Sequence, residues 1–399
     1  MIKITKEQAK NFLASYHNLN HCREMSGKSG VLAYFERVGN IQFDPLNVVG
    51  RNADLVLQAR VEGYSSKLLH ELLYQDRLLV DGWDKQMAIY RREDWPKFSR
   101  VRKGKMQEAI AILRHRDSLG ALDYIEDVRG VIRSDGPLQS NQISMGERKA
   151  GRWGHKKLSS ATLDYMFQAG ELGIYEKRNT QKVYDLIENL LPPEFCAPED
   201  PFPSERAFYE WYFARRVGSL GLIWGKNGGG WLGHFVNDKK LRNEIMAALV
   251  DEDVLQEVSI RGIEELFYVR TQDIPYFEET RQPETGCFLA PLDNLLWDRD
   301  MIEAIYGFRY SWEVYTPVSK RRYGYYVLPV MAGNELVARF EPEMYRGGTL
   351  VVKNWWWEPR VKRSTLMDSV VDEAFRRFSE YLGVEAPARP VDWKRAVVQ

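Results

Sequence analysis

A glutamine and an aspartate two residues apart, Gln42 and Asp44, interrupt the otherwise apolar run Ile41-Gln42-Phe43-Asp44-Pro45-Leu46. Strand alternation predicts Gln42 and Asp44 on one face and Ile41 and Phe43 on the other. A carboxylate beside an amide can stabilise developing positive charge, or activate a water that the amide orients. The plainer reading makes Asp44 the cap of a turn at Pro45-Leu46, and spacing alone favours it. A second polar–apolar mixture is Leu289-Ala290-Pro291-Leu292-Asp293-Asn294-Leu295-Leu296-Trp297-Asp298-Arg299. There Asp298 and Arg299 are expected to form a buried ion-pair corner and Asp293 a turn cap.

Other chemistry is poorly supplied. His17 and His21 have metal-chelating helical spacing, but a surface helix pair is the preferred reading. Asp293, Asp298 and Asp300 do not make a convincing nuclease ligand set. There is no P-loop, no GxGxxG after a strand, no HExxH and no GxSxG. The three cysteines, Cys22, Cys196 and Cys287, lie far apart without a CxxC pair. Neither a zinc knuckle nor a disulfide framework follows, and no metal or cofactor is expected.

The elements that must position such residues are clearest between about 131 and 186. Pro137 to Ser140 reads as a short helix start, followed by the basic loop Gly151-Arg152-Trp153-Gly154-His155-Lys156-Lys157. In the segment Ser159 to Gly170, Leu163, Met166, Phe167 and Gly170 fall at i, i+3, i+4 and i+7, the signature of one inward helix face. Leu172 to Arg178 and Gln181 to Leu186 alternate around Asn179-Thr180, which predicts a hairpin. Helix, basic turn, helix and hairpin is the winged-helix order, whose second helix commonly enters the major groove.

Two further modules follow the same order with less force. Ile4 to His17, Val31 to Val38, Asp54 to Arg60 and Ser65 to Tyr74 are helical in period. Later, Ser204 to Val217 and Asp238 to Asp251 read as helices, with strands at Val254 to Ile260 and Glu265 to Arg270. The proline-rich stretch Leu191 to Pro203 reads as a linker. From Tyr310 the texture becomes β-rich, with strands expected at Trp312 to Pro317, Tyr323 to Val330, Glu335 to Phe340 and Thr349 to Lys353, closed by a helix Thr365 to Tyr381. The fold class is mainly α with α+β winged-helix modules, as tandem winged helices plus a small C-terminal β-rich unit. The expected divisions are 1–125, 126–200, 201–280 and 281–399.

Composition agrees with a globular protein of several domains: 399 residues, 44% hydrophobic and 28% charged. With 56 basic and 56 acidic side chains, the zero net charge argues against a non-specific nucleic-acid coat but leaves room for a local basic groove. Basic clusters stand at 97–105, 152–157, 320–322 and 360–363. No 18-residue uncharged apolar run and no N-terminal signal core are present, so a cytoplasmic, non-membrane, monomeric protein with reduced thiols is expected.

Four segments together resemble the winged-helix crosslink-repair DNA glycosylases of the YcaQ and AlkZ type. Gln42-Phe43-Asp44, with Asn47-Val48-Val49 and Leu55 to Arg60, is similar to that family's glutamine–apolar–aspartate motif and flank. Arg178-Asn179 through Leu186 looks like its wing, Ala290 to Arg299 like its tryptophan–aspartate–arginine block, and Tyr315-Thr316-Pro317 with Lys320 to Pro329 like its C-terminal strand pair. The resemblance implies tandem winged helices around duplex DNA and excision of N7-alkylated purines, extending to bulky or crosslinked adducts. It carries Gln42 and Asp44 over as the catalytic pair, and so overturns the turn-cap preference. Asn47, Arg51, Arg152, Lys156, Lys157, Lys320, Arg321 and Arg322 are expected at the DNA. One segment departs: where crosslink-unhooking relatives carry a histidine-containing stretch, this chain has Asp81-Gly82-Trp83-Asp84-Lys85, with an aspartate in the histidine's place. The rival reading is a non-catalytic winged-helix DNA-binding regulator or architectural protein.

Overall fold

The computed structural model describes residues 1–20, 25–143, 158–196, 200–279, 285–345 and 348–385. They form two compact units, Met1–Leu69 with Tyr209–Gln399, and His70–Phe208.

In the His70–Phe208 unit the helical period becomes packing. The helix Leu158–Ala169 turns Leu163, Met166 and Phe167 onto Val128, Ile132, Leu138, Leu172, Ile174 and Tyr184. Burying each such side chain contributes roughly 1.5–3 kcal/mol. The helices Ser99–His115 and Ile125–Asp135 precede it. Strands Leu172–Arg178 and Gln181–Leu186 form the expected hairpin, with Asn179 at φ 56° in its turn. Helix, strand, helix and hairpin define a winged helix. Pro137 to Ser140 is not a helix start. Gly136 ends the preceding helix at positive φ, and Leu138–Gln139 pairs with Tyr184 and Val183 as the third strand. The basic loop with Arg152, Lys156 and Lys157 lies outside the described residues. A hairpin that the sequence reading did not anticipate joins Leu79–Trp83 to Met87–Arg91.

The other unit repeats the logic. Helix Lys239–Asp251 is capped by Asp238, whose carboxylate accepts from the Lys240 and Leu241 amides. With helix Glu205–Leu220 it accompanies an antiparallel set of Ile223–Trp224, Leu266–Arg270 and Leu255–Ile260. Ile2–Ile4 adds to that sheet in parallel, so Ile4 ends a strand and the first helix begins at Lys6, capped by Thr5 and Gln8.

The β-rich part is a four-stranded antiparallel sheet in the order Gly286–Phe288, Leu328–Ala332, Glu335–Tyr345, Thr349–Trp357. Helix Thr365–Leu382 covers it, setting Phe375 and Phe378 against Phe288 and Phe340. Trp312 to Pro317 is not a strand, and Tyr323 to Tyr326 does not extend Leu328–Ala332. The buried Glu313 carboxylate accepts the amides of Arg322, Tyr323 and Gly324, at 2.9, 2.9 and 3.1 Å, so a side chain takes the place of a ladder partner. No described helix is long and apolar enough to cross a membrane.

Candidate active site

The site lies in the unit formed by Met1–Leu69 and Tyr209–Gln399. The helix Gly27–Val38 stops at Gly39, whose φ of 78° would strain a residue with a side chain. The chain then enters the short strand Asn40–Gln42, whose Ile41 is fully buried. The strand ends at Gln42, two residues earlier than alternation predicts. Asp44 sits in the following turn, its Oδ1 accepting from the Leu46 amide at 2.9 Å. The turn cap and the chemical candidate are therefore the same carboxylate.

Gln42 and Asp44 differ in what they have left to offer. The Gln42 Oε1 is buried and has no hydrogen-bond partner within the protein, a condition that calls for a ligand or water. Burial pushes the Asp44 carboxyl above its usual value, and the Leu46 amide only partly opposes this. Nearby, Tyr326 is buried and its phenol is pushed upward by burial, by Tyr310 and by the Asp44 charge, so it stays protonated.

Behind the strand, polar side chains of distant segments meet. The Asn52 amide, at the start of helix Asn52–Gln58, donates to the Gln42 carbonyl at 2.8 Å and pairs with both polar groups of the Leu292 backbone. Asn294 donates to the carbonyls of Asn40 (2.9 Å) and Ser219 (3.1 Å). Arg60 and Asp293, both without solvent exposure, form an ion pair at 2.7 Å. Asp293 is the expected turn cap, accepting from Leu295. The expected Asp298–Arg299 ion pair is not formed. Asp298 instead caps helix Arg299–Tyr306 and accepts from Trp224 and Gly230, while Arg299 lies over the Tyr310 ring. His17 is not on a surface helix face. It is fully buried between the Tyr34 hydroxyl and the Leu220 carbonyl, with its pKa lowered to about 3, first by burial and then by Arg60. His21 lies outside the described residues, among which no three His, Cys, Asp or Glu side chains come together as a metal-ligand set.

The predicted DNA contacts fall into two described groups. Asn47 is exposed and closes its own turn by accepting from Gly50, and Arg51 begins helix Asn52–Gln58. Glycine suits position 50, where φ is 131° and a Cβ would lie 2.2 Å from the Tyr381 hydroxyl. Lys320 and Arg322 are exposed, and Arg321 is tied to the Thr316 carbonyl. They share a braced loop with Tyr315 and Val318, which are 86% and 76% exposed. At its base, burial works against Glu313 ionisation, but the three accepted amides outweigh it and hold the carboxyl below its usual value.

The departing segment sits in the unexpected hairpin of the other unit. Asp81 forms an ion pair with Lys177, both almost wholly buried, and accepts from the Tyr74 hydroxyl at 3.1 Å. Asp84 is buried at the hairpin turn. Asp81 therefore builds structure.

The chain thus combines winged-helix modules with an amide–carboxylate pair at a strand end, a candidate hydrolytic centre. The family described as "DNA glycosylase AlkZ-like" matches residues 35–381. The chain belongs to that family. Among solved structures it is similar to the Streptomyces sahachiroi DNA glycosylase AlkZ, with a TM-score of 0.66 and 15% identity, covering 98% of this chain and all of the other. That likeness is one of fold.

Proposed function

We propose that this protein is a monofunctional DNA glycosylase that hydrolyses the N-glycosidic bond of N7-alkylated purines in duplex DNA, with Gln42 and Asp44 as its catalytic residues. The observation that carries the reading is the buried, unpartnered Gln42 Oε1 close in sequence to a carboxyl made more basic by burial. An N7-alkylpurine is already cationic, so the base leaves without a strong general acid. The Asp44 carboxylate faces the positive charge that develops on the sugar, and its raised basicity suits it to take a proton from water. Gln42 Oε1 accepts the water's other hydrogen and fixes its direction. Water rather than a lysine is the nucleophile, so no Schiff base forms.

The decisive experiment incubates the protein with duplexes containing N7-methylguanine or a much bulkier N7 adduct. Release of free base with matching heat-labile abasic sites supports the reading. Binding without release points to a non-catalytic regulator. Comparable rates for the two adducts are expected if the site is an open groove, and collapse with the bulky adduct would indicate a closed base-flipping pocket.

The braced loop gives a separate prediction about affinity. Changing Lys320 and Arg322 together to alanine is expected to lower the slope of log affinity against log salt by about 1–2, since each released phosphate contact removes nearly one counterion. An unchanged slope removes this loop from the interface.

A further inference from the structure

We propose that Asn52 is a positioning residue for the Gln42–Asp44 pair, acting through the backbone rather than on the substrate; this rests on the catalytic reading above. The strand Asn40–Gln42 is only three residues long. Carbonyls two apart on a strand point to the same side. Asn294 takes the Asn40 carbonyl and Asn52 takes the Gln42 carbonyl, while Ile41 is locked in the core.

The second of these bonds controls geometry. The peptide joining Gln42 to Phe43 is planar, so fixing its carbonyl fixes the whole plane. The Gln42 side chain departs just before that plane and Asp44 follows one residue after it. Rotation of the plane therefore swings one functional group relative to the other. Asn52 is suited to prevent this because its own amide cannot turn. Its oxygen accepts from Leu292 N at 3.0 Å, and its nitrogen reaches both Leu292 O at 3.4 Å and Gln42 O at 2.8 Å. Flipping the amide would set its oxygen against two carbonyls. Asn52 is 2% exposed, so solvent offers no replacement donor.

Helix Asn52–Gln58 contains its own control. Gln58, six residues on, donates to the carbonyls of Leu55 and Phe288 and is similarly buried, but does not touch the strand. The test compares Asn52→Leu, which keeps the shape without the donors, with Asn52→Ser, one bond shorter, and with Gln58→Ala. Single-turnover base release and DNA Kd are measured on an N7-methylguanine duplex, and Tm on each protein. Both Asn52 variants are expected to lose about 10- to 100-fold in rate, the scale of an ångström-level misplacement, with Kd held within about twofold. Gln58→Ala is expected to keep its rate within about threefold despite a comparable fall in Tm. Asn52→Ser decides the matter should Asn52→Leu not fold. A wild-type rate in a folded Asn52 variant, or an equal loss in Gln58→Ala, overturns the assignment. Absence of base release by the wild-type protein defeats the glycosylase reading instead, so the two failures are distinct.

Discussion

Asp44→Asn is expected to slow base release by about 10³-fold while leaving DNA affinity unchanged, because a group acting on the developing charge and the attacking water is being removed. Asparagine still offers Oδ1 to the Leu46 amide, so the turn survives and only the charge and basicity are lost. The two roles of Asp44 are thereby separated. If turn capping were its whole contribution, the variant would work at wild-type speed. The pH dependence follows from the raised carboxyl. In the wild type the rate should climb with pH through that elevated value and then level off, whereas the variant should stay slow at every pH. Stability should move the other way. A carboxyl that holds its proton more tightly when folded favours the fold below its unfolded pKa, and this contribution is lost as pH rises through the folded value. Asp44→Asn should therefore match the wild type in acid and melt slightly higher above that window, by about 2 °C. Melting curves and single-turnover rates across one pH series check both signs.

Parts of this architecture could be read locally because local pattern determines them. Leu163, Met166 and Phe167 announce their helix, and the alternation around Asn179-Thr180 announces the wing. Both resolve into packing that uses the same residues. The C-terminal texture was harder, because Glu313 diverts three backbone amides that strand-like residues would otherwise commit to a ladder. Period-2 sequence measures fitness for a pleated surface, not the presence of a partner. The buried Asp81–Lys177 pair was missed for a similar reason, since two charged residues 96 positions apart look like solvated surface until the fold joins them.

The candidate site divides in the same way. Gln42 and Asp44 were identified by composition and by resemblance, yet their geometry was not legible. Alternation carried the strand through Asp44, whereas the structure ends it at Gln42. Asn52 and Asn294 take two of its carbonyls. Asn294 lies 254 residues from the carbonyl of Asn40 that it binds. An asparagine near the start of an apolar helix has one local signal, namely that so polar a residue at a core position needs a partner. That signal does not say which partner.

Asp293→Ala is expected to be among the most destabilising single substitutions in the chain, at about 3–5 kcal/mol by urea titration. Arg60 and Asp293 are both fully buried, and their bond joins the end of the site helix to the segment that supplies Leu292 and Asn294. Removing the carboxylate leaves a guanidinium with the Val56 carbonyl and Tyr34 but no countercharge, and it cannot escape by losing its proton. It also removes the acceptor for Leu295 at the turn. Arg60→Met should cost less, because a stranded carboxylate can take up a proton and the methionine refills much of the space. The combined variant, Arg60→Met with Asp293→Ala, should be more stable than Asp293→Ala alone, since no unpaired charge remains in the core. This ordering distinguishes a bond that stabilises by attraction from one whose main consequence is the penalty of breaking it. If the double variant is instead less stable than Asp293→Ala, Arg60 contributes through its stem, its Val56 bond and its stacking on Tyr34, and the ion pair is secondary.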